Sequence, residues 1–209
     1  MGCFGVGWGR MKSIEGIEEL FRRYGGVMRR RELTLEAIHA CTLRRLEQEG
    51  YLCRPRAGYY EWVGEDGGSE LPLIRLIFPE AIICMHSALY IYGYTDRVPA
   101  RWQLAAPKNA TRSKYRQAYP RVRAYFRTPE SLAPGITSIE YGGQTLSVYD
   151  RDRTICDCIA HRNRMDREIF NKAIRAYCED PQHDVSLLTE YARRLRIERP
   201  TREIISLWH

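Results

Sequence analysis

Hydrophobic residues near the start of the chain recur at the three- and four-residue spacing of one helix face. Ser13 precedes the first of them and is a residue type that caps helix N-termini. Gly25-Gly26 follows the last and is typical of a helix end. We therefore predict an amphipathic helix between these two signals. Its apolar face consists of Ile14, Ile17, Leu20, Phe21 and Tyr24.

After a short basic helical segment, Arg29–Leu33, the pattern predicts a longer helix from Leu35 to Glu49, with Thr34 as its N-cap and Gly50 beyond its end. Small residues beside Arg and Gln suit a helix that lies close to a base edge or a phosphate. The core-facing side is predicted to carry Leu35, Ile38, His39, Thr42, Leu43 and Leu46. The opposite side carries Ala37, Cys41, Arg44 and Gln48, with Arg45 at the border.

Two short runs of strand-forming residues come next, Tyr51–Arg54 and Tyr59–Val63, separated by Pro55–Gly58. They predict a β-hairpin in which Gly58 supplies a positive φ. Helix, short helix, longer helix and hairpin in this order are typical of a winged helix-turn-helix, which we place at residues 12–68. Arg54 and Arg56 lie where such a wing follows phosphates.

The total charge of this segment does not decide its role, because Met1 to Gly68 holds eleven Lys and Arg against ten Asp and Glu. The positive residues are clustered at Arg29–Arg31, at Arg44-Arg45 and on the hairpin, whereas half of the acids lie on the first helix and after Trp62. Clustered positive charge favours DNA binding. A winged helix that binds another protein is the alternative.

The rest of the chain, residues 69–209, is predicted to form a second domain after a polar linker at Glu65–Ser69. Leu73–Tyr94 is predicted to be helical in pieces, interrupted at Pro79. Strands followed by segregated helices indicate an α+β fold, here a mixed α/β C-terminal domain with antiparallel strands and then a helical part. The predicted strands are Trp102–Ala106, Arg121–Phe126, Ile136–Tyr141 and Gln144–Tyr149, the last two joined at Gly142-Gly143. The predicted helices are about Asp152–Asn163, Asp166–Cys178, Asp184–Arg196 and Pro200–Trp208, with Asp166 and Asp184 as caps.

The window from Arg97 to Arg127 contains nine Lys and Arg and no Asp or Glu, a net charge of +9 that exceeds the +7 of the whole chain. Three tyrosines, Tyr115, Tyr119 and Tyr125, are interleaved with these charges. We predict a second anionic contact surface, which includes Arg112, Lys114 and Arg116 and binds DNA backbone beside the site read by the N-terminal domain. A basic solvated loop is the alternative.

Composition narrows the class of protein. The chain has 209 residues, 44% of them hydrophobic, which is ordinary for a globular protein. No apolar run approaches the ~20 residues that cross a bilayer. The seven cysteines are odd in number and include no CxxC, so we expect reduced thiols in a cytoplasmic protein and no metal or cofactor. Residues 1–11 are Gly-rich, and we expect a disordered leader or a mis-called start there.

A short charged string invites an enzymatic interpretation. Asp150 and Asp152, with Asp157 nearby, are carboxylates that could bind Mg²⁺. The string also suits a strand-to-helix junction, where Asp152 caps the helix, Arg153 pairs with a carboxylate and Thr154 bonds to the backbone. We favour the structural interpretation. We likewise expect His86-Ser87 to be a packed or hydrogen-bonded pair, and we predict no catalytic residues.

Three groups of residues carry a resemblance to a known family. They are Glu49–Leu52 with Gly58–Tyr60, His86–Tyr90 with Gly93–Pro99, and Val148–Asp157. With these strings the chain, from near Lys12 onward, resembles the AbiEi family of antitoxins and transcriptional regulators from bacterial type IV toxin–antitoxin (abortive phage infection) systems. It departs from the family in its Gly-rich leader and in Tyr94, where many relatives carry Leu.

The resemblance implies a phage-defence function. Members repress their own two-gene operon by binding inverted repeats of double-stranded promoter DNA through the winged helix. The C-terminal domain supplies the antitoxin activity and assists DNA binding. The partner gene encodes a nucleotidyltransferase-like toxin, which is countered without a stable direct complex.

We therefore expect a non-enzymatic, cytoplasmic antitoxin and autorepressor with no membrane association. The alternatives are a nucleic-acid-processing enzyme that carries a DNA-binding module, and a protein-interaction adaptor. The predicted DNA contacts are Arg29, Arg30, Arg31, Thr34, Ala37, Cys41, Arg44, Arg45, Gln48, Arg54, Arg56, Arg112, Lys114 and Arg116.

Overall fold

The computed structural model describes residues 12–63, 70–141 and 144–207. Contacts between Cα atoms divide the chain into two compact units. The first comprises Met1–Leu73 with Gly142–Gln144, and the second comprises Ile74–Tyr141 with Thr145–His209. Several sequence predictions lie outside the described residues: the leader, the Glu65–Ser69 linker, the Gly142-Gly143 turn and the end of the last helix at Trp208.

The N-terminal unit combines helices with a three-stranded antiparallel sheet of strand order β1-β3-β2. Its first helix begins where the sequence predicts, because the Ser13 hydroxyl accepts a hydrogen bond from the Gly16 backbone N–H at 3.2 Å. The predicted hairpin is confirmed, with Gly58 at φ +84° in its turn. The elements are α1 (Ile14–Arg23), β1 (Val27–Arg29), α2 (Arg30–Leu35), α3 (Ala40–Gln48), β2 (Leu52–Arg56) and β3 (Tyr59–Trp62).

The single helix predicted from Leu35 to Glu49 is wrong, because the chain turns between α2 and α3. Ala37 has a left-handed backbone with φ 59°. The Ala37 N–H donates to the Thr34 carbonyl at 3.1 Å and the Ile38 N–H donates to the Leu33 carbonyl at 2.8 Å, the two bonds of a Schellman helix end. Leu33 and Ile38, on either side of this turn, are both buried in the same core. The spacing of apolar residues therefore continues across the turn, and the sequence pattern does not show that the helix is interrupted.

Two residues assigned to the core-facing side of that helix are exposed, again because the helix is split. Leu35 is 85% exposed at the end of α2. His39 is exposed and serves as the N-cap residue of α3. The core of the N-terminal unit is formed by Ile17, Leu20, Phe21, Met28, Leu33, Ile38, Leu43, Leu46, Leu52 and Tyr60.

From residue 70 onward helices and strands alternate and then give way to helices, which confirms the α+β class. The four predicted strands and four predicted C-terminal helices are present, with ends that differ by a few residues. Two 3₁₀ helices lie at Arg112–Tyr115 and Arg162–Arg164. The elements are α4 (Glu70–Ile77), β4 (Ile82–Ile83), α5 (Met85–Ile91), β5 (Trp102–Pro107), β6 (Val122–Arg127), α6 (Pro129–Leu132), β7 (Ile136–Tyr141), β8 (Gln144–Tyr149), α7 (Arg151–Ala160), α8 (Arg167–Glu179), α9 (Val185–Arg194) and α10 (Glu198–Ile205).

The five-stranded sheet has the order β6-β5-β4-β8-β7 and is mixed, so the prediction of antiparallel strands is wrong. β4 pairs antiparallel with β5 but parallel with β8, and β5 pairs parallel with β6. A parallel pair needs a crossover of about a dozen residues or more. The basic segment between β5 and β6 supplies that crossover and contains the first 3₁₀ helix.

α7 lies at the centre of the second unit and is buried on all sides from Asp152 to Ile159. It packs against α5, α8 and α9. The predicted caps of the neighbouring helices are confirmed: Asp166 accepts from the N–H groups of Glu168 and Ile169, and Asp184 accepts from those of Ser186 and Leu187. These caps fix where the surrounding helices start.

Candidate nucleic-acid interface

The exposed face of α3 carries one polar stripe. Its residues lie at positions i, i+3, i+4 and i+7 of the helix, which is the spacing of a single face. On the opposite side, Leu43 is 1% exposed and Leu46 is fully buried, so the helix is anchored by these leucines. The stripe consists of Cys41, Arg44, Arg45 and Gln48, all exposed.

The two arginines of the stripe differ in their surroundings. Arg45 Nε lies 3.9 Å from Glu49 Oε1, an exposed pair that contributes little to stability. Arg44 makes no ion pair within the described part of the chain. Both guanidinium groups are therefore available to a ligand.

Thr34 was predicted to cap the long helix and Ala37 to lie on its DNA-facing side, and the structure corrects both placements. Thr34 is an exposed residue of α2, where its hydroxyl donates to the Arg30 carbonyl at 3.0 Å. Ala37 lies in the turn between the helices. Neither residue belongs to the α3 stripe.

The predicted run Arg29–Arg31 lies where β1 meets α2. The Arg29 guanidinium carbon is 6.0 Å from the centre of the Tyr59 ring, and its backbone N–H donates to Glu32 Oε2 at 2.6 Å. The Arg30 backbone N–H donates to the Gly58 carbonyl at 2.8 Å and so joins the start of α2 to the hairpin turn. Arg31 is exposed in the first turn of α2. The basic run and the hairpin turn therefore adjoin each other.

The hairpin presents Arg54 and Arg56. The Arg54 guanidinium lies 5.7 Å from the Tyr60 ring centre, and Arg54 is exposed. The register of β2 and β3 shifts between Cys53 and Arg56. Pro55 lies inside this irregularity and has no N–H to donate to a ladder. Burial raises the pKa of Glu61, which lies beside Cys53.

The basic window of the second unit is partly neutralised. Lys114 Nζ lies 2.9 Å from Glu80 Oε1, which compensates its charge. Arg112 packs its guanidinium 4.4 Å from the centre of the Phe126 ring and forms no ion pair with the residues that the structure describes. Arg116 is exposed at the end of the 3₁₀ helix. Of the three predicted contacts in this window, Arg112 and Arg116 remain free to meet an anion.

Two further members of the window are also paired. Arg97 lies 2.6 Å from Glu168 and 3.8 Å from Asp166, and Arg127, whose side chain is 12% exposed, lies 2.9 Å from Asp157. The net charge of +9 counted in the sequence therefore overstates the positive electrostatic potential that this window produces at the protein surface. The residues of the window without an ion pair in the described part of the chain are Arg101, Lys108, Arg112, Arg116, Arg121 and Arg123.

The Asp150–Asp157 string is the start of α7, and its carboxylates bind protein groups. Asp150, not Asp152 as predicted, caps the helix: it accepts from the Arg153 N–H at 2.7 Å and from the Tyr191 hydroxyl at 2.8 Å. Asp152, 4% exposed, accepts from the Tyr177 hydroxyl at 2.7 Å and the Asp184 N–H at 2.9 Å. Burial raises the pKa of Asp150.

The predictions for the next two residues of the string are confirmed. Arg153 Nε donates to Asp157 Oδ1 at 3.2 Å, and the Thr154 hydroxyl donates to the Tyr149 carbonyl at 3.1 Å. Asp157 thus lies between Arg153 and Arg127. The spacing of Arg153 and Asp157 was visible in the sequence, whereas nothing there pointed to Arg127 or to the tyrosine partners. Within residues 12–63, 70–141 and 144–207 no group of three or more His, Cys, Asp and Glu side chains is placed to hold a metal ion.

His86 and Ser87 bond to other parts of the chain rather than to each other. His86 Nε2 lies 3.0 Å from the Arg97 carbonyl, and the Ser87 hydroxyl accepts from the Gln103 N–H at 2.8 Å. Burial lowers the pKa of His86. These contacts position α5 against β5.

The cysteines in the described part of the chain, from Cys41 to Cys178, are free thiols. None of the helices in this part of the chain is long and apolar enough to traverse a bilayer.

Comparisons with known proteins found similarity to this chain among solved structures alone. No family model matches it, and no curated protein matches it. Among solved structures it is similar to the crystal structure of the RV2827C protein from Mycobacterium tuberculosis, with a TM-score of 0.48 and 13% identity over 92% of this chain and 80% of that chain. The case for a function therefore rests on this chain's own residues.

Proposed function

We propose that the protein is a DNA-binding transcriptional repressor whose N-terminal unit is a winged helix-turn-helix. The observation that carries this proposal is the exposed stripe Cys41, Arg44, Arg45 and Gln48 on α3. α2, a short turn and α3 have the order of a helix-turn-helix, and β2–β3 has the place of the wing. In that arrangement the second helix enters the major groove.

The α3 stripe has the chemistry for reading bases. Arg binds guanine O6 and N7 through two hydrogen bonds, and Gln binds adenine N6 and N7 in the same way. Arg44 and Gln48 lie one turn apart, so they face bases a short step apart along the groove. Cys41 is small and lets the N-terminal part of α3 approach closely. Leu43 and Leu46 hold the opposite face in the core, which fixes the orientation of the stripe.

The remaining arginines supply phosphate contacts. Arg30 and Arg31 lie in the first turn of α2. Arg54 and Arg56 lie on the hairpin. Such contacts fix the protein on the duplex without reading sequence and make binding dependent on salt. Arg112 and Arg116 of the second unit add contacts to flanking backbone in this proposal.

We further propose that the second unit carries an antitoxin activity against a nucleotidyltransferase-like toxin, without a stable direct complex between the two proteins. The resemblance of His86–Tyr90 and Val148–Asp157 to the AbiEi family supports this. His86–Tyr90 lies in α5, and Val148–Asp157 covers the end of β8 and the first part of α7; α5 and α7 pack together in the second unit. An activity carried by this unit is expected to survive changes in the α3 stripe.

The DNA-binding proposal is tested with Arg44→Ala and Arg56→Ala in the full chain, measured by fluorescence anisotropy on the operon's own upstream sequence and on a scrambled duplex. Loss of a bidentate base contact costs about 1–3 kcal/mol of discrimination between the right and the wrong base. Arg44→Ala should therefore reduce the preference for the upstream sequence over the scrambled duplex by about tenfold. Arg56→Ala should weaken binding to both duplexes equally. It should also reduce the slope of the logarithm of affinity against the logarithm of salt concentration by about 0.9. Arg22→Ala, an exposed arginine of α1 paired with Glu18, is the matched control.

Equal losses of affinity for both duplexes in Arg44→Ala would refute its base-reading role.

The antitoxin proposal is tested by co-expression with the neighbouring nucleotidyltransferase-like gene. Arg44→Ala should restore growth as well as the unaltered chain does, because neutralisation belongs to the second unit. A folded Arg44→Ala variant that fails to restore growth would show that neutralisation depends on DNA binding and would contradict the separation of the two activities.

A further inference from the structure

β6 is an edge strand of the five-stranded sheet, with β5 on one side and no strand on the other in the described part of the chain. The Trp102 N–H donates to the Arg121 carbonyl at 2.8 Å, and the Lys108 N–H donates to the Arg127 carbonyl at 2.7 Å. The backbone groups of a strand point to alternate sides with a period of two residues. The odd-numbered residues of β6 therefore bond to β5, and the even-numbered residues direct their backbone groups to the open edge.

The open edge of β6 consists of the N–H and C=O groups of Val122, Ala124 and Phe126. Outside the β5–β6 ladder, these three residues form no hydrogen bond within the part of the chain that the structure describes. A row of alternating donors and acceptors is the template to which an extended peptide adds as a further strand. Phosphate groups of a nucleic acid only accept hydrogen bonds, so they would leave the carbonyl groups of this edge without partners.

The side chains that border the open edge are basic on one face of the sheet. Arg121 and Arg123 are exposed, and neither forms an ion pair within the described residues. The Arg123 guanidinium lies 5.4 Å from the centre of the Tyr125 ring, which belongs to the same face. Arg127 also belongs to this face, but Asp157 compensates its charge. Arg121 and Arg123 are therefore the two positive charges left for an acidic partner.

The opposite face of β6 is mainly apolar. Ala124 and Phe126 are half-buried there, and the Arg112 guanidinium lies 4.4 Å from the centre of the Phe126 ring. A strand added to β6 would place every second side chain beside Arg121 and Arg123 and the side chains between them beside Ala124 and Phe126. This alternation favours a peptide in which acidic residues alternate with small apolar ones.

We propose that the open edge of β6 binds an extended acidic segment of another protein, which adds to the five-stranded sheet as a further strand. Ladder hydrogen bonds with Val122, Ala124 and Phe126 hold the backbone of the segment, and ion pairs with Arg121 and Arg123 select its acidic side chains. A second copy of the chain is disfavoured, because pairing β6 with itself would bring two sets of arginines to one edge. The site is independent of the DNA-binding and antitoxin proposals, which invoke neither Arg121 nor Arg123.

The test measures the binding of short labelled peptides to the full chain by fluorescence anisotropy. Glu-Val-Glu-Val-Glu-Val should bind at least about tenfold more tightly than Lys-Val-Lys-Val-Lys-Val, because only its charges are complementary to the arginines. It should also bind more tightly than Glu-Glu-Glu-Val-Val-Val, whose acidic residues do not alternate with apolar ones. N-methylation of one set of alternate residues should abolish binding, and N-methylation of the other set should retain it, since only every second peptide N–H faces β6.

Ala124→Pro tests the backbone contact from the side of the protein. The N–H of this residue points to the open edge, so proline preserves the ladder with β5, and proline is tolerated at such positions of edge strands. The variant should lose peptide binding in protein whose circular dichroism shows that it is folded. Ala124→Val, the matched control, keeps the N–H and should bind as the unaltered chain does. The N-methylated peptides test the same contact without altering the protein.

Arg121→Gln combined with Arg123→Gln tests the selection of charge. The double variant should weaken binding of the acidic peptide by about tenfold, since each exposed ion pair contributes up to about fivefold. Arg194→Gln combined with Arg199→Gln is the matched control, because it removes the same charge from exposed positions of α9 and α10. This control should leave the affinity unchanged.

Other outcomes would overturn the proposal. No binding of the alternating acidic peptide would leave the arginines as protection of the edge against association. Equal affinity for the alternating and the permuted peptide, or unchanged affinity in folded Ala124→Pro, would show that no strand is added. Tighter binding of a single-stranded oligonucleotide that Ala124→Pro does not affect would assign the arginines to nucleic acid. Self-association of the unaltered chain that Ala124→Pro abolishes would assign the edge to a second copy.

Discussion

Asp157→Asn removes the central charge of the buried ion pairs on α7. Asp157 is 1% exposed and accepts from Arg153 Nε at 3.2 Å and from Arg127 Nη2 at 2.9 Å. The Arg153 side chain is 1% exposed and also donates to the carbonyls of Pro134 and Ser131, at 2.9 and 2.7 Å. These bonds hold the guanidinium in place, so the variant leaves two buried or nearly buried positive charges without their anion.

Removing one partner of a buried ion pair costs about 3–5 kcal/mol. Asparagine keeps the shape of the side chain and one carbonyl acceptor, so we expect the lower end, about 3 kcal/mol. The free energy of unfolding of the second unit should fall by this amount. For a unit of this size, that loss corresponds to a fall in the unfolding temperature of about 10 °C.

The assay is urea unfolding followed by circular dichroism and tyrosine fluorescence. The matched control is Asp96→Asn, which removes an exposed carboxylate that pairs with Lys172 at 2.9 Å. This control should leave the unfolding midpoint unchanged, because exposed pairs contribute little. An unchanged midpoint in Asp157→Asn would refute the reasoning from buried charge. A fully stable Asp157→Asn variant that loses biological activity would favour the enzymatic alternative.

Three further changes test other parts of the fold. Ala37→Gly should raise the free energy of unfolding of the N-terminal unit by about 1 kcal/mol in urea titrations, since Ala37 has φ 59°; a loss of stability would contradict this. Gly135→Ala should lower the free energy of unfolding by at least about 2 kcal/mol, because Gly135 has φ +80° and an added Cβ would lie 2.5 Å from Arg153 Cβ. An unchanged urea midpoint would show that the loop rearranges to accommodate the methyl group. Burial lowers the pKa of His86 and His161 below 6.5, so the unfolded chain binds more protons below that pH. Stability should be full above about pH 6.5 and fall toward pH 5, and replacing both with Gln should flatten that dependence in urea midpoints.

Helix ends marked by side chains were the predictable part of the fold. Ser13, Asp166 and Asp184 cap helices where the sequence indicated, because one short side chain determines each start. The break between α2 and α3 escaped prediction because Ala37, rather than glycine, takes the left-handed position. β4 escaped because Ile82–Ile83 lies in an apolar run, where a short strand and a buried helix have the same pattern.

The candidate interface was predictable as far as it depends on local spacing. Cys41, Arg44 and Gln48 share a face whether the helix begins at residue 35 or 40, so the α3 stripe was found in spite of the wrong boundary. The charge of the Arg97–Arg127 window was overstated, because Glu80 and Asp157 lie outside the window and reach it only through the tertiary fold.

The central claim is that α3 reads a specific duplex while arginines of α2 and the hairpin hold its phosphates. The most direct measurement is the affinity of the full chain for its own upstream sequence and for a scrambled duplex, at about 50 mM and about 200 mM salt. We predict at least about 10³-fold preference for the upstream sequence and an affinity for both duplexes that falls with salt. Equal affinity for the two duplexes, or binding unaffected by salt, would contradict the account.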